Sequence, residues 1–337
     1  MSRMEIALKR QPGQHLRPDD FELRSSALDH ALDKGQVRLR VHWLSIDPYQ
    51  RGLLDQVPMF GRRVMVGDMM AGRGIGEVIE SRSERFVPGD WVIGETGWAT
   101  EAIVPDSALV PAAGASEFLS HHLGVLGVPG LTAFLGLYAL GDVGEGDVLL
   151  VSSAAGAVGS TVVQLAKARG VKVIGLTSGA AKASFLREQL KVDGVIDRLQ
   201  GPPLPQALRE AAPDGFSCFF DNVGEQMLVD GLGALRPRGR ALLCGYIAGY
   251  EAGAPVVPAE TLRLIMRQRL EVRGFLVHDH ASRFGEARSA LEDLLRSGQL
   301  QAVQTVVQGL ERAPAALCDL LAGRASGKVV VRVLGSG

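Results

Sequence analysis

The sequence predicts an α/β protein in which a doubly wound parallel sheet is joined to a β-rich domain, and three observations predict it. From residue 147 to 276 short apolar strands alternate with segments of helical periodicity. Between residues 36 and 105 short strands are separated by glycine and Pro-Gly turns. After residue 300 the chain supplies two more strand patterns, TVVQG and KVVVRVL, with no further βαβ unit. At 337 residues the chain is long for one core, which agrees with two domains.

In order, QVRLRVHWL (36–44) alternates strictly, with Val37, Leu39, Val41 and Trp43 on one face and Arg38, Arg40 and His42 on the other, the pattern of a half-buried strand. AGRGIGEVIE, FVPGDWVIG and ATEAIVP follow as short strands of a compact β-rich domain. Gly72, Gly74 and Gly76 resemble a nucleotide loop only superficially, because the GEVIE after them is a strand pattern and predicts a bulged strand. Leu123 to Gly141 is uncharged for 19 residues, but five glycines and Pro129 interrupt it, so a buried helix is expected in place of a membrane span.

The stretch 147–178, DVLLVSSAAGAVGSTVVQLAKARGVKVIGLTS, organises the rest. Val148 to Val151 is a continuous apolar run, as a strand buried on both faces should be, and it stops at small residues. Helical spacing then takes over at Val158, Val162, Leu165 and Ala166, Gly170 closes the helix, and Val171, Val173 and Ile174 begin a second strand. Beyond this unit the pattern predicts a helix over 180–190, a short strand near Val195, a strand over 216–220, a helix over 225–235, a strand over 240–244, a helix over 259–268 and a strand over 270–276. Together these make a six-strand doubly wound sheet. Phe284, Ala287, Leu291 and Leu294 repeat at helical spacing after it.

Gly156 and Gly159 point to dinucleotide binding. A pyrophosphate reaches backbone N–H groups at a helix N-terminus only where no Cβ intervenes, and the helix dipole favours its charge. The alternative is that these glycines serve helix–strand packing alone. At the end of the second strand stand Thr177 and Ser178, with no carboxylate before Glu188, while Lys182 and Arg198 are within reach of that edge. A 2′-phosphate there would meet cations, which selects NADP(H); a solvated Lys182 is the competing reading. Ligands of such sheets bind at the carboxyl ends of strands, which places Asn222, Gly245, Tyr246 and Phe275 to Val277 near the cofactor.

Composition excludes several classes. Hydrophobic content of 46% and a net charge of −1 exclude a disordered or strongly basic chain, and no Lys/Arg block suggests nucleic acid. MSRMEIALKR has no apolar stretch with a small-residue cleavage site, so a cytoplasmic protein without a secretory signal is expected. Cys218, Cys244 and Cys318 are widely spaced, with Cys218 and Cys244 in predicted buried strands, and neither they nor the histidines form a metal-ligand pattern.

The chain also resembles the medium-chain dehydrogenase/reductase superfamily, and within it the zinc-free leukotriene B4 12-hydroxydehydrogenase/prostaglandin reductase branch of alkenal double-bond reductases. LSIDPYQR (44–51), GVPGLTAFLGL (127–137), AAGAVGS (154–160), FFDNVG (219–224), CGYIAGY (244–250), GFLV (274–277) and GKVVV (327–331) carry the resemblance, in the family's order. It implies a GroES-like catalytic domain over 1–124, a Rossmann NADP-binding domain over 125–300, and a return to the catalytic domain over 301–337. It further implies pyrophosphate contacts at Gly156, Ala157, Val158 and Gly159, and it aligns Lys182 with the family's 2′-phosphate lysine; Ser178 and Arg198 are read beside it from their own position and chemistry. Asn222 and the loop Cys244, Gly245, Tyr246 to Tyr250 would meet the ribose and nicotinamide side, and Phe275, Leu276 and Val277 the carboxamide. A homodimer paired through the edge strand at 270–276 follows from family habit, with a small-molecule activated alkene as substrate.

The branch's chemistry is NADPH-dependent reduction of the double bond of α,β-unsaturated aldehydes or ketones. An enzyme without zinc needs a substrate that delocalises charge or protein donors that hold it, and an enolate meets that need. Of four tyrosines, Tyr49 in LSIDPYQR and Tyr246 in CGYIAGY are the candidate donors, while Tyr138 falls on the apolar helix. A hydroxyl capping a loop is the plain alternative for Tyr49, and the cofactor ribose hydroxyl is an alternative donor. Three departures stand out: Arg198 replaces a tyrosine common in relatives, Ala325 replaces an asparagine, and His278, Asp279 and His280 stand where an aromatic substrate residue is frequent. Two other functions stay open, a zinc-free quinone reductase and an NADPH-binding protein without turnover.

Overall fold

The computed structural model describes residues 2–28, 31–55, 58, 61–112, 116–250 and 259–333. The chain divides into two units, Met1–Leu123 with Gln304–Gly337, and Gly124–Val303. The first begins with β1 (Ser2–Leu8), β2 (Phe21–Ala27), β3 (Gln36–Ile46), the one-turn helix α1 (Tyr49–Gly52), β4 (Arg73–Ser81), β5 (Trp91–Glu95), β6 (Glu101–Pro105) and β7 (Val110–Pro111). The second contains α2 (Val128–Phe134), β8 (Val148–Val151), α3 (Ala157–Ala168), β9 (Lys172–Thr177), α4 (Ala180–Glu188), β10 (Gly194–Asp197), α5 (Leu204–Ala211), β11 (Phe216–Asp221), α6 (Glu225–Gly233), β12 (Leu235–Leu243), α7 (Ala259–Gln268), β13 (Glu271–Gly274) and α8 (Phe284–Arg296). The chain then forms β14 (Gln304–Gln308), α9 (Ala313–Leu321) and β15 (Lys328–Arg332). Leu334, the last residue of the KVVVRVL pattern, lies outside the described residues.

The second unit holds a six-stranded sheet in the order β10-β9-β8-β11-β12-β13. Every strand pair in it is parallel. The order reverses direction beside β8, so the turns after β8 and β11 face the same crevice, where doubly wound sheets bind ligands. The apolar runs are continuous because each strand feeds two cores. Leu149, Val151, Val173, Cys218 and Phe220 enter one buried cluster, whereas Leu150, Ile174, Leu176, Phe216 and Phe219 enter another on the opposite face. Burying one such side chain contributes about 1.5–3 kcal/mol, so a polar residue on either face would oppose the fold.

In the second unit one helix, α5, is absent from the sequence prediction, and in the first unit α9 is too. Between β10 and β11, α5 packs Leu208, fully buried, into the second cluster. Leu204, Leu208 and Ala211 had the helical spacing, behind a proline at the first turn. β12 begins at Leu235, earlier than the predicted residue 240, and β13 is shorter than predicted. Cys244 follows β12 instead of closing it and Cys318 sits on α9, so only Cys218 of the three lies in a strand. The uncharged stretch 123–141 folds as α2 and a π-helical turn, Leu135–Leu140, largely buried. No helix among the described residues is long and apolar enough to cross a membrane.

In the first unit a seven-stranded sheet runs β14-β15-β3-β4-β5-β7, with β6 also on β3. The strict alternation expected of β3 fails at its end. A register shift against β4 between Val41 and Trp43 turns Leu44 into the core and leaves Trp43 on the other face beside Arg332. Arg38, expected on a polar face, is buried, donating to Glu80 at 2.9 Å and to the Leu28 carbonyl at 2.8 Å. Gly74 sits on the bulged β4, where an added Cβ would lie 2.8 Å from the Trp43 carbonyl oxygen.

Candidate functional site

Apart from Tyr49, the sequence-predicted site residues all lie in the second unit and at the carboxyl ends of its strands. After β8 the chain turns through Ser153, whose φ is +48°. The Ala154 N–H donates to the Leu176 carbonyl at 3.0 Å, tying the turn to β9, and α3 begins at Ala157 with Gly156 as its N-cap. Gly159 packs the first turn of α3 onto this loop so closely that an added Cβ would strike the Ser153 carbonyl oxygen and lie 2.9 Å from Ala154 Cα. Gly156 donates its own N–H to the Ser153 carbonyl at 2.8 Å, and Ala157, Val158 and Gly159 form the first turn, whose N–H groups have no carbonyl one turn earlier in the helix to meet and can face an anion.

The ends of β9 and β10 bring Ser178, Lys182 and Arg198 to one edge. Asp197 and Thr177, the last residues of the two strands, are register partners. Burial pulls the Lys182 ammonium below the ordinary lysine range, and the like charge of Arg198 pulls it further. Two mutually repelling cations at the end of β9 form a donor set suited to a phosphate dianion and ill-suited to a bare ribose hydroxyl.

Beyond β11 the organising residue is Asp221, which the sequence reading passed over. Its Oδ1 accepts from Ser152 Oγ at 2.7 Å and from the Val223 N–H at 3.1 Å, and its Oδ2 accepts from the Gly224 N–H at 3.0 Å. The Asp221 carbonyl accepts from Cys244 N–H at 2.8 Å. Burial pushes its carboxyl pKa up, against the opposing effect of these bonds. Asn222 joins the same network, donating from its backbone N–H to Ser152 Oγ and from Nδ2 to the Ser152 carbonyl, each at 2.8 Å. The turn after β8, FFDNVG and CGYIAGY therefore meet at one residue, the first two through the Asp221 carboxylate and the third through its backbone carbonyl. The signal was a carboxylate ending a nearly apolar strand, FSCFFD.

Tyr246 lies over Gly224, and its hydroxyl donates to Glu225 Oε1 at 3.1 Å. Burial and that carboxylate raise its pKa. Burial pushes the Cys244 thiol up to about 12, so it stays protonated. Tyr250 ends the short helix Ile247–Tyr250. Phe275 packs edge-on against Phe220 at 6.3 Å between ring centres, Leu276 is exposed and Val277 is buried. His278 and His280 follow on a short 3-10 segment, His278 facing the ring of Phe284.

Tyr49 opens α1 in the first unit, half-buried against that unit's core. The turn carrying it is pinned from below. Lys328, 2% exposed, pairs with Asp47 and donates to the Ile46 carbonyl at 2.8 Å. Ser45 Oγ bonds the same carboxylate, and the fully buried Gln50 accepts the Asp47 N–H at 2.9 Å. Burial lowers the Lys328 pKa, with Asp47 opposing. GKVVV is thereby joined to LSIDPYQR, two stretches 281 residues apart at the ion pair. Among the described residues no group of three or more His, Cys, Asp or Glu is placed to hold a metal ion.

Residues 4–112 match the family described as the N-terminal domain of oxidoreductase, and residues 157–294 match the family described as zinc-binding dehydrogenase. The chain is 33% identical to the NADPH-dependent curcumin reductase of Escherichia coli, over 94% of this chain and 93% of that protein. It is 36% identical to prostaglandin reductase 1 of Bos taurus, over 93% of this chain and 94% of that protein. Among solved structures, CurA from Vibrio vulnificus in complex with NADPH superposes with a TM-score of 0.92 at 32% identity, covering 99% of this chain and 100% of that one.

Proposed function

The chain belongs to the medium-chain dehydrogenase/reductase superfamily, in its zinc-free alkenal reductase branch, and from that premise we propose that it is an NADPH-dependent reductase of the carbon–carbon double bond in α,β-unsaturated aldehydes or ketones. The observation that carries this reading is that the likeness to the curcumin and prostaglandin reductases spans 93–94% of the chain and so runs through both units. When bound, NADPH would supply a hydride for Cβ of the alkene. The bare N-terminus of α3 holds the pyrophosphate, Lys182 and Arg198 hold the 2′-phosphate, and the Asp221-centred loops, with Phe275 to Val277, orient the nicotinamide side.

Hydride addition at Cβ leaves negative charge on the carbonyl oxygen, and a hydroxyl donor preorganised for that oxygen lowers the barrier. Tyr49 fills this role, because Lys328, Asp47 and Gln50 hold its turn rigid. Tyr246, whose hydroxyl donates to Glu225 Oε1 at 3.1 Å, is the second candidate. Cα then takes a proton, from Tyr49 or from solvent. Tyr49→Phe is expected to lower kcat by about 10- to 100-fold while leaving NADPH affinity unchanged, as measured by steady-state rates beside fluorescence titration. Equal kcat in the variant would remove Tyr49 from the mechanism.

The test of the function itself is NADPH consumption against a panel of 2-alkenals, enones and quinones, with products identified. Saturated carbonyl products support the reading. Turnover of quinones alone would overturn it in favour of a quinone reductase, and tight NADPH binding without turnover would point to a sensor or structural protein.

The edge strand β13 presents Glu271 to Gly274 exposed, and Leu262 and Met266 on the preceding α7 and Leu276 after it are exposed too. A second copy pairing along this edge would cover both its unpaired backbone groups and the apolar side chains, so a homodimer is the proposed state. Sedimentation is expected to give twice the chain mass at micromolar concentration, and Val272→Pro, which removes a ladder donor, to shift it to monomer. A parent protein that sediments as a monomer would end the proposal.

A further inference from the structure

We propose that Asp197 is a positioning residue for cofactor selectivity, whose single working oxygen clamps together the two backbone segments that carry Lys182 and Arg198. The inference rests on the NADP(H) reading of that edge and deepens it. Asp197 ends β10 and is buried, with 9% of its surface exposed. Its Oδ1 accepts the Gly179 N–H at 2.8 Å and the Leu199 N–H at 3.1 Å. Gly179 is the N-cap of α4, and its φ of +96° lets the chain turn from β9 into the helix whose first turn carries Lys182. Leu199 directly follows Arg198, whose own N–H donates to the Thr177 carbonyl at 3.0 Å.

One oxygen therefore holds two segments far apart in sequence, each adjacent to one cation. The two cations repel each other, as the lowered Lys182 pKa records. The β9–β10 ladder and the Arg198 N–H bond to the Thr177 carbonyl hold the strand ends together, and Asp197 Oδ1 fixes the turns beyond them that carry the cations. Preorganisation by Asp197 removes the ordering of these turns from binding. It acts only on ligands that bear the 2′-phosphate.

The other oxygen separates geometry from charge. Asp197 Oδ2 is buried with no hydrogen-bond partner among the described residues. The carboxylate's second acceptor site is idle, so an amide at this position can keep both Oδ1 bonds. A carboxylate near a bound phosphate would also oppose it, so an amide at this position is expected to cost phosphate binding nothing by charge.

The experiment is equilibrium binding of 2′,5′-ADP and 5′-AMP, which differ only in the 2′-phosphate, to the full chain and to Asp197→Ala and Asp197→Asn, with thermal melting of each protein. Asp197→Ala is expected to weaken 2′,5′-ADP by about 10-fold and 5′-AMP by less than about 2-fold. Asp197→Asn is expected to retain the parent's preference or to increase it. Equal loss of both ligands in Asp197→Ala, or loss of the preference in Asp197→Asn, overturns the proposal. If the parent itself fails to prefer 2′,5′-ADP, the NADP(H) reading of this edge fails first, which is a different result. Should Asp197→Ala not fold, Asp197→Asn and Asp197→Ser still decide, since serine is too short to reach both N–H groups and is expected to lose the preference.

Discussion

Gly159→Ala is expected to abolish NADPH binding, with a loss of at least about 100-fold in affinity. The added Cβ has no flexible side chain to push aside. It meets the Ser153 carbonyl and lies 2.9 Å from Ala154 Cα, both backbone atoms of a turn already tied to β9 and to the start of α3. The clash can be relieved only by moving α3 away from the turn, and overpacking of this kind costs about 1–3 kcal/mol in stability. The binding loss is larger, because the same movement withdraws the helix N–H groups from the position of the pyrophosphate. Fluorescence titration with NADPH, alongside thermal melting, separates the two effects. Gly144→Ala is the control, since a Cβ there meets nothing within 4 Å. A Gly159→Ala protein that binds NADPH within a few-fold of the parent would show that the glycine serves packing and not the nucleotide.

Removing both cations at the end of β9, Lys182→Ala with Arg198→Ala, is expected to weaken NADPH by about 100-fold or more and NADH by less than about 3-fold. Each charge-assisted bond to a phosphate contributes about 1.5–3 kcal/mol. The single variants should each lose less than half of the double's effect in free energy. Deleting one cation relieves the repulsion on the other, and a relaxed survivor serves the phosphate better. Calorimetric titration with both cofactors checks the pair, and the loss on NADPH should shrink at high salt, because Arg198 is exposed and screened. Equal loss of NADPH and NADH would place the phosphate elsewhere.

The elements legible in the sequence are those whose packing follows one local period. The continuous runs at β8 and β11 read as buried strands because both faces of the sheet are covered, and α3 and α8 read as helices from one apolar stripe. The glycine turn and the paired cations were legible for a related reason, since a helix N-terminus and the residues just past a strand have known positions once the βαβ unit is recognised. β3 misled because its alternation is broken by a bulge that only its partner β4 imposes. α5 went unread because its stripe is short and begins behind prolines.

By itself the sequence determined the parallel sheet, its glycine-lined helix start and the cation-bearing edge beyond β9, since each depends on residues within one or two turns of one another. Tertiary structure alone decided that Asp221 gathers Ser152, Asn222 and Gly224, that Asp197 ties Gly179 to Leu199, and that Lys328 holds Asp47 beneath Tyr49. Parallel strands bring their ends together only through crossovers of a dozen residues or more, so no local pattern records which carboxylate will meet which loop.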